Sequence, residues 1–537
     1  MPPQETFKDS LRVDMLVNEL YPMLNAGVSY NRLNGSAGGA VFECVSDLAV
    51  YTPFGGSTNV NNFITGGLNA ASNSGDARWA ELYQWIRKAN VVLKYIDFSV
   101  MSEARKQQKI AEAKFLKAYF HYELFRRHGS IPIMDDLLDL EGDIHVPRAS
   151  FEEMIDYMVR LIDEAAEILP VRYPSNDYGR MTKGSAYGLK SRILLVAASP
   201  LHNENPMPGS IKETSYPEPD KERWKKAADA ALQCIELKNS DGSPAHELYP
   251  SFERTFFTRI DNWEGLIMKQ NSMNNSVEKA DGPVGFQNAR GNTNATQELV
   301  DMFEMKATGK LPGEEGSGYD PQNPYAGRCN RFYATIFYNG SSIWGREIET
   351  FVGGADYPAS PGVKGCNTGY VMRKHIDPTT SIVSPEKTTF HDWPVLRFAE
   401  VLLNYAEAMN EYLGLNEDDI VTDEKIYEYV NKVRQRAGLP NVDNLTKAQM
   451  RTLVQRERTV ELAFEDQRYH DLRRWRLAEV ALNRPVHGAE IIKVGSDYTY
   501  NFDKEIENRV FPMRHYFYPI PQTELDKNMA LVKNPGW

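Results

Sequence analysis

Helical periodicity governs two stretches of this chain, residues 1–239 and 395–537, and lapses between them, from residue 240 to 394. From Asp9 to about Asn25, Leu11, Met15, Leu16, Leu20 and Leu24 recur at helical intervals and predict an amphipathic first helix. Residues 31–76 are rich in Gly, Asn and Ser, with pairs at Gly38-Gly39, Gly55-Gly56 and Gly66-Gly67, and predict a long loop of the kind that carries function. Helices are then predicted over 79–96 and 102–127, the second ended by Gly129 and Pro132. Ser150 with Glu153 forms a capping box ahead of Phe151, Ile155, Met158, Ile162, Ala165 and Leu169, which share one face. Further helices follow over 182–198 and 222–237.

The same period resumes over 398–412, 424–436 and 447–477, the last opened by a second capping box, Thr446 with Gln449. Small residues such as Ala227, Ala228 and Ala231 let antiparallel helices approach closely, as in tetratricopeptide-like hairpins, although no strict 34-residue period is present. Within 240–394, Gly, Pro, Asn and aromatic residues dominate. Runs such as Phe332–Tyr338 before Asn339-Gly340 predict a strand and tight turn. The expected fold is therefore mostly α: a tetratricopeptide-like scaffold interrupted by a loop-rich insert with short strands. The scaffold's two parts are residues 1–239 and 395–537, the second ending in a Pro-rich tail, and neither scaffold nor insert need fold alone.

Composition narrows the function. The 537 residues carry a formal charge of −12, which gives no attraction to a phosphate backbone, so nucleic acid is not an expected partner. Four cysteines, Cys44, Cys234, Cys329 and Cys366, have no C-x-x-C spacing, and ten histidines include no H-E-x-x-H, so no metal or redox centre is expected. No apolar run is long enough to span a bilayer. Met1-Pro2-Pro3-Gln4-Glu5 shows neither the basic nor the apolar region of a secretory signal, which taken literally points to the cytoplasm.

Glu457, Glu461, Glu465, Asp466 and Asp471 offer carboxylates for glycoside hydrolysis, which needs one protonated acid and one ionised partner. The spacing favours a structural role, since Arg458 with Glu461, Glu465 with Arg468 and Asp471 with Arg474 stand at i,i+3 on a helix. What remains is aromatic and polar material in irregular segments, which suits sugars: rings stack on pyranose C–H faces and amides meet hydroxyls. Two segments qualify. Residues 47–62 supply Asp47, Tyr51, Phe54, Asn59, Asn61 and Asn62; residues 269–296 supply Gln270, Asn274, Asn275, Phe286, Asn288, Arg290 and Asn292. Trp344, Tyr357 and Trp263 form a second tier, whereas Trp79, Trp85, Trp224 and Trp475 lie in helical patterns and are expected in the core.

The run Glu457-Arg458-Thr459-Val460-Glu461-Leu462-Ala463-Phe464-Glu465-Asp466-Gln467-Arg468, continuing to Trp475, resembles the SusD/RagB family. So do the Leu396–Ala408 helix, the terminal Tyr518-Pro519-Ile520-Pro521 and the final Asn534-Pro535-Gly536-Trp537. The chain departs from the family pattern at Arg328-Cys329-Asn330-Arg331, which lacks the proline of an Arg-Asp-Pro-Arg turn, and at Asn528-Met529. The resemblance implies a non-enzymatic, surface-exposed lipoprotein of the outer membrane that binds glycan or oligosaccharide for a SusC-like TonB-dependent transporter. It further implies no cofactor, loop-borne ligand contacts, and membrane attachment only through a signal-dependent lipid anchor absent from this chain. A glycoside hydrolase on a helical scaffold and a helical-repeat protein-interaction module are the alternatives.

Overall fold

The structure is a computed structural model that describes residues 3–24, 42–52, 58–72, 76–138, 144–359 and 365–537. The first long helix, α1 (Ser10–Asn18), is capped by Asp9, whose carboxylate accepts from the Leu11 N–H. Its buried face is Val13 and Val17, continued by Leu20 and Leu24, so two residues assigned to the apolar stripe, Leu11 and Met15, are instead 72% and 63% exposed. The scaffold proper is α2 (Trp79–Tyr95), α3 (Glu103–His128), α4 (Phe151–Ile168), α5 (Lys183–Ala198) and α6 (Glu222–Ile235), each packed on the next.

Past the insert, α7 (Phe398–Tyr412) docks against α5 and α6, and α8 (Glu424–Arg436) and α9 (Lys447–Glu461) pack on α7. The array thus closes across the interruption. Gly188 on α5 makes this possible: a Cβ there would stand 2.8 Å from Leu396 and 2.9 Å from Leu266, side chains that lead the chain into and out of the insert. Both predicted capping boxes form, at Ser150–Glu153 and Thr446–Gln449, and a third forms at Thr182–Ser185.

Three elements differ from expectation. The helix predicted over 447–477 breaks at Glu461; Phe464 and Asp466 take left-handed φ of 63° and 62° before α10 (Arg468–Arg474) starts. Phe332–Thr335 belongs to a short helix, Asn330–Thr335, and only Ile336–Phe337 is strand. The C-terminal scaffold segment carries a long hairpin, Pro485–Val494 with Asp497–Asn508, turning at Gly495 (φ 64°). Its signal was the alternation Tyr498, Tyr500, Phe502.

The insert is tied to the scaffold through Gly265–Lys269, antiparallel to Trp393–Arg397, the strand that runs directly into α7. A four-stranded sheet orders as Ala49–Tyr51, Thr293–Ala295, Val371–Met372 and Ile336–Phe337, so the long N-terminal loop contributes an edge strand to the insert.

The charge-dense signature forms the buried junction of these parts. Arg397, fully buried, donates to Glu461 at 2.9 Å and to Glu465 at 2.6 and 2.7 Å, and also pairs with Glu264 of the insert. Arg331 reaches Glu457 at 2.7 Å, Arg434 reaches Glu304 at 2.9 Å, and Lys374 reaches Glu465 at 2.6 Å. Burial alone would raise the Glu461 pKa; Arg436, Arg397 and Arg331 outweigh it and hold it down at about 2. Of the expected i,i+3 pairs only Asp471–Arg474 forms among the described residues, at 2.7 Å. Arg458 turns to Asp471 and Glu400, leaving Glu461 to Arg397 and Arg436, while the backbone bend at 462–467 separates Glu465 from Arg468, which turns to Asp47.

The terminal motif has an equally local reason. Asn534 donates to the carbonyls of His128 and Tyr518, both at 2.8 Å, and accepts from Arg148 at 2.8 Å, strapping the tail across the end of α3. Both guanidiniums of the Arg328–Arg331 turn are used without a proline, Arg328 on the carbonyls of Pro324 and Phe303 and Arg331 on Glu457.

Candidate functional site

The two segments singled out for sugar contact meet. Ala49, Val50 and Tyr51 pair with Ala295, Asn294 and Thr293, and the Thr52 N–H donates to the Asn292 carbonyl at 2.9 Å. This pairing also decides which of their side chains face a ligand.

Four candidates are structural. Asp47 is fully buried and accepts from Arg468 at 2.8 and 2.9 Å; burial would raise its carboxyl, but Arg468 outweighs that and lowers it. Tyr51 is 7% exposed within the core, and Asn292 is fully buried beside the strand pairing. Asn275, 7% exposed, donates to the Ser381 carbonyl at 3.2 Å and Glu386 at 2.9 Å. Strands paired into a sheet bury their side chains, and that pairing is invisible to local composition. Asn274 forms a turn, donating to the Ser272 carbonyl and accepting from the Ser276 N–H. Asn59 and Asn61 stand on the Thr58–Ile64 helix, which packs through Phe63 on Tyr469 and Tyr518. Phe54 lies outside the described residues.

Gln270 lies elsewhere, donating to the Tyr178 carbonyl and accepting from Arg259 at 2.8 Å, whereas Asn288 and Arg290 share a turn with Phe286. Phe286 sits half-buried in the turn after the Ser276–Asp281 helix, a turn closed by the Gly291 N–H donating to the Gly282 carbonyl. Trp344 meets it edge-on, with centroids 5.1 Å apart and planes at 87°, from the turn of the Ser342–Ile343 and Arg346–Glu347 hairpin. Trp344 and Gly345 hold φ of 49° and 81°, the paired left-handed geometry of a tight hairpin turn. The Arg346 guanidinium lies 4.4 Å from the Phe286 centroid and pairs with buried Asp356 at 2.9 Å.

Asp356 is the hub of this face, accepting from the Gly285 N–H at 2.8 Å and the Glu349 N–H at 2.9 Å as well. Two loops distant in sequence are thereby fixed to one carboxylate, and the rings are preorganised before any ligand arrives. The Trp344 indole N–H has no hydrogen-bond partner among the described residues. Arg290 and Asn288 stand at the edge of the same turn, and the Asn288 amide donates to the Ile382 carbonyl at 3.0 Å. The site thus comprises two half-buried rings and an aligned guanidinium. Of the residues named from sequence, Phe286 is brought together with second-tier Trp344, and Arg290 lies in the same turn of chain as Phe286; Arg346, Asp356 and Gly285 were missed, because only their partners in space give them a role.

Gly285 provides a test of the hub. A Cβ there would press on the Arg346 guanidinium and stand 2.8 Å from the Asp356 carboxylate. Gly285→Ala is expected to cost about 1–3 kcal/mol, the range for overpacking, and to loosen Phe286; chemical denaturation checks the first effect and ring-proton NMR linewidths the second.

Of the tryptophans expected in the core, Trp79, Trp224 and Trp475 are buried, at 7%, 1% and 6% exposure, and Trp85 is half-buried beneath Lys88. Among the described residues no group of three or more His, Cys, Asp and Glu is placed to hold a metal ion, and no helix is long and apolar enough to cross a membrane.

Comparison with known proteins places this architecture. The SusD family profile matches residues 257–537, and a family described as starch-binding and associating with the outer membrane matches residues 4–195. A SusD-like protein of Bacteroides ovatus is 23% identical over 442 residues, covering 79% of this chain and 69% of that protein. The solved structure of a SusD-like protein from Bacteroides fragilis superposes with a TM-score of 0.79 at 25% identity, covering 99% of this chain and 98% of that one. A SusD-like carbohydrate-binding protein from the same species superposes with a TM-score of 0.78 at 24% identity, covering 98% and 100%. With more than half its length matched by the family profile and its fold shared from end to end, the chain belongs to the SusD family.

Proposed function

We propose that this protein is a non-catalytic glycan-binding protein of the outer cell surface, which captures oligosaccharide on the Phe286–Trp344 face and passes it to a SusC-like TonB-dependent transporter. The observation that carries the reading is the right-angled ring pair, clamped by Arg346 and Asp356 in a half-exposed position. The carbohydrate-binding relative from Bacteroides fragilis and the outer-membrane description of the matching family support the ligand class and the location. The carboxylates of the signature helix favour binding over hydrolysis: Glu457 and Glu461 are buried, and their guanidinium partners hold both ionised. A glycosidase needs one of its two acids protonated and within reach of substrate.

Binding by rings and single hydroxyl contacts on an open face gives modest affinity, so the loss of one ring is decisive. Phe286→Ala and Trp344→Ala are each expected to weaken binding about tenfold, equivalent to roughly 1.4 kcal/mol, without a matching loss of stability. Isothermal titration against an oligosaccharide panel reads this; parent-like heats from both variants would sink the site. Capture of a barrel protein from outer membranes by the tagged chain tests the transporter partnership.

A further inference from the structure

Where the start of α5 meets the insert, two adjoining cavities of about 260 and 460 Å3 share Asp177, Tyr178, Gly179, Arg180 and Met268 as a common wall. Phe286, Trp344 and Arg346 line neither. Trp263 lines the first cavity and is 36% exposed, with the Arg172 guanidinium 5.1 Å from its ring centroid. Neighbouring Ile260 is 54% exposed.

Two guanidiniums in and beside the groove are matched, whereas Arg172 lies over Trp263 and neither it nor Asp261 makes an ion pair among the described residues. Arg180 pairs with Glu112 and Asp177, both at 2.8 Å, and Arg259, beside Tyr178, pairs with Asp392 at 3.2 Å. Three neutral groups of the lining have no partner among the described residues, one of them His246 Nε2. Asn262 is 7% exposed; its Nδ2 donates to the carbonyls of Thr255 at 2.8 Å and Thr258 at 3.1 Å, which fixes the amide and leaves Oδ1 with no partner among the described residues. The Tyr178 hydroxyl is likewise buried without one among the described residues. Unmet buried polar atoms cost stability, and a ligand that meets them recovers it.

We propose that this groove is a second oligosaccharide site for uncharged sugar units, in which Trp263 stacks on a pyranose face while Asn262 Oδ1 and the Tyr178 hydroxyl take ring hydroxyls. The inference rests on the proposed glycan reading for its ligand class alone. Two weak sites on one chain bind a polymer more tightly than either binds a fragment, since the second engagement is intramolecular.

Native affinity electrophoresis through amylopectin, laminarin, xylan and polygalacturonate tests it. For a neutral polysaccharide that retards the parent, Trp263→Ala is expected to raise the apparent Kd at least threefold, and the loss adds to that of Phe286→Ala in the double variant. Tyr178→Phe removes only the unpartnered hydroxyl and is expected to raise it about twofold, which keeps the test open should Trp263→Ala fail to fold. Parent-like retardation of both groove variants, with Phe286→Ala released, overturns the groove and leaves the first site standing; the converse overturns the first site and leaves the groove. Retardation of the parent by none of the four polymers overturns both, and retardation by polygalacturonate alone overturns the uncharged ligand.

Discussion

Replacing Arg397 by Ala is expected to destabilise the protein by about 3–5 kcal/mol, the range for removing one partner from a buried ionic network. Arg397 has no exposed surface and holds three carboxylates, Glu264, Glu461 and Glu465, none of which is more than 4% exposed. Removing the guanidinium leaves these charges crowded in a low-dielectric interior, where each acid must protonate or draw in water. Lys is a poor substitute, because a point charge cannot match the planar fork that serves three carboxylates at once. The contrast is Lys432→Ala: its i,i+4 pair with Glu428 is half exposed on both sides, and its loss should cost well under 1 kcal/mol. Urea denaturation of both variants reads the difference, and equal midpoints would remove the network from any account of stability. Glu264 and Lys374 belong to the insert and Glu461 to α9, so the same experiment asks whether insert and scaffold unfold together; a second transition in Arg397→Ala would separate them.

The scaffold was legible because a helix declares itself locally. Phe151 through Leu169 recur on one face, Ser150 and Glu153 announce the start, and the expected helix matches the observed one. The insert was not, since its strands are two to five residues long and owe their existence to partners far along the chain, as Tyr51 does to Thr293. The same physics governs the site. Tyr51 and Asn292 carry the right chemistry, yet sheet pairing buries them, whereas Phe286 and Trp344 stand in turns that leave their rings partly open. Arg346 and Asp356 carry no local signature; their role is their distance from Gly285 and Phe286. The signature acids do pair with basic groups, as their spacing suggested, but apart from Asp471–Arg474 the partners of Glu457 and Glu461 come from other elements, Arg331, Arg397 and Arg434, which residue spacing does not reveal.

The stability contributed by two buried acids, Asp281 and Glu43, is expected to fall as the pH rises from about 4 towards 8. Desolvation, reinforced by the charge of Glu278, raises the buried Asp281 carboxyl to about 7; desolvation and neighbouring Asp466 raise Glu43 to about 8. In the unfolded chain both acids titrate near pH 4. Between these values the folded state keeps protons that the unfolded state has released, so each acid's contribution is complete below pH 4 and lost as the pH climbs through the folded pKa. At roughly 1.4 kcal/mol per unit, Asp281 accounts for at most about 4 kcal/mol of that decline. Glu123, Glu400 and Glu461 act in the opposite sense. Their arginine partners overcome burial and hold them at about 2, so their contribution is present above pH 4.5 and is lost as the pH falls towards 2. Buried His121, His128, His202 and His246 act in that sense too: desolvation lowers each to about 4, so their contribution is lost as the pH falls from 6.5 towards 4. Asp281→Asn keeps an acceptor for Thr293 and removes the ionisation, so it should match the parent at pH 4.5 within about 1 kcal/mol and exceed it by about 1–4 kcal/mol at pH 8. Denaturant melts at pH 4.5, 6, 7 and 8 decide the matter: curves for parent and variant that run parallel across this range would mean that Asp281 stays ionised in the fold.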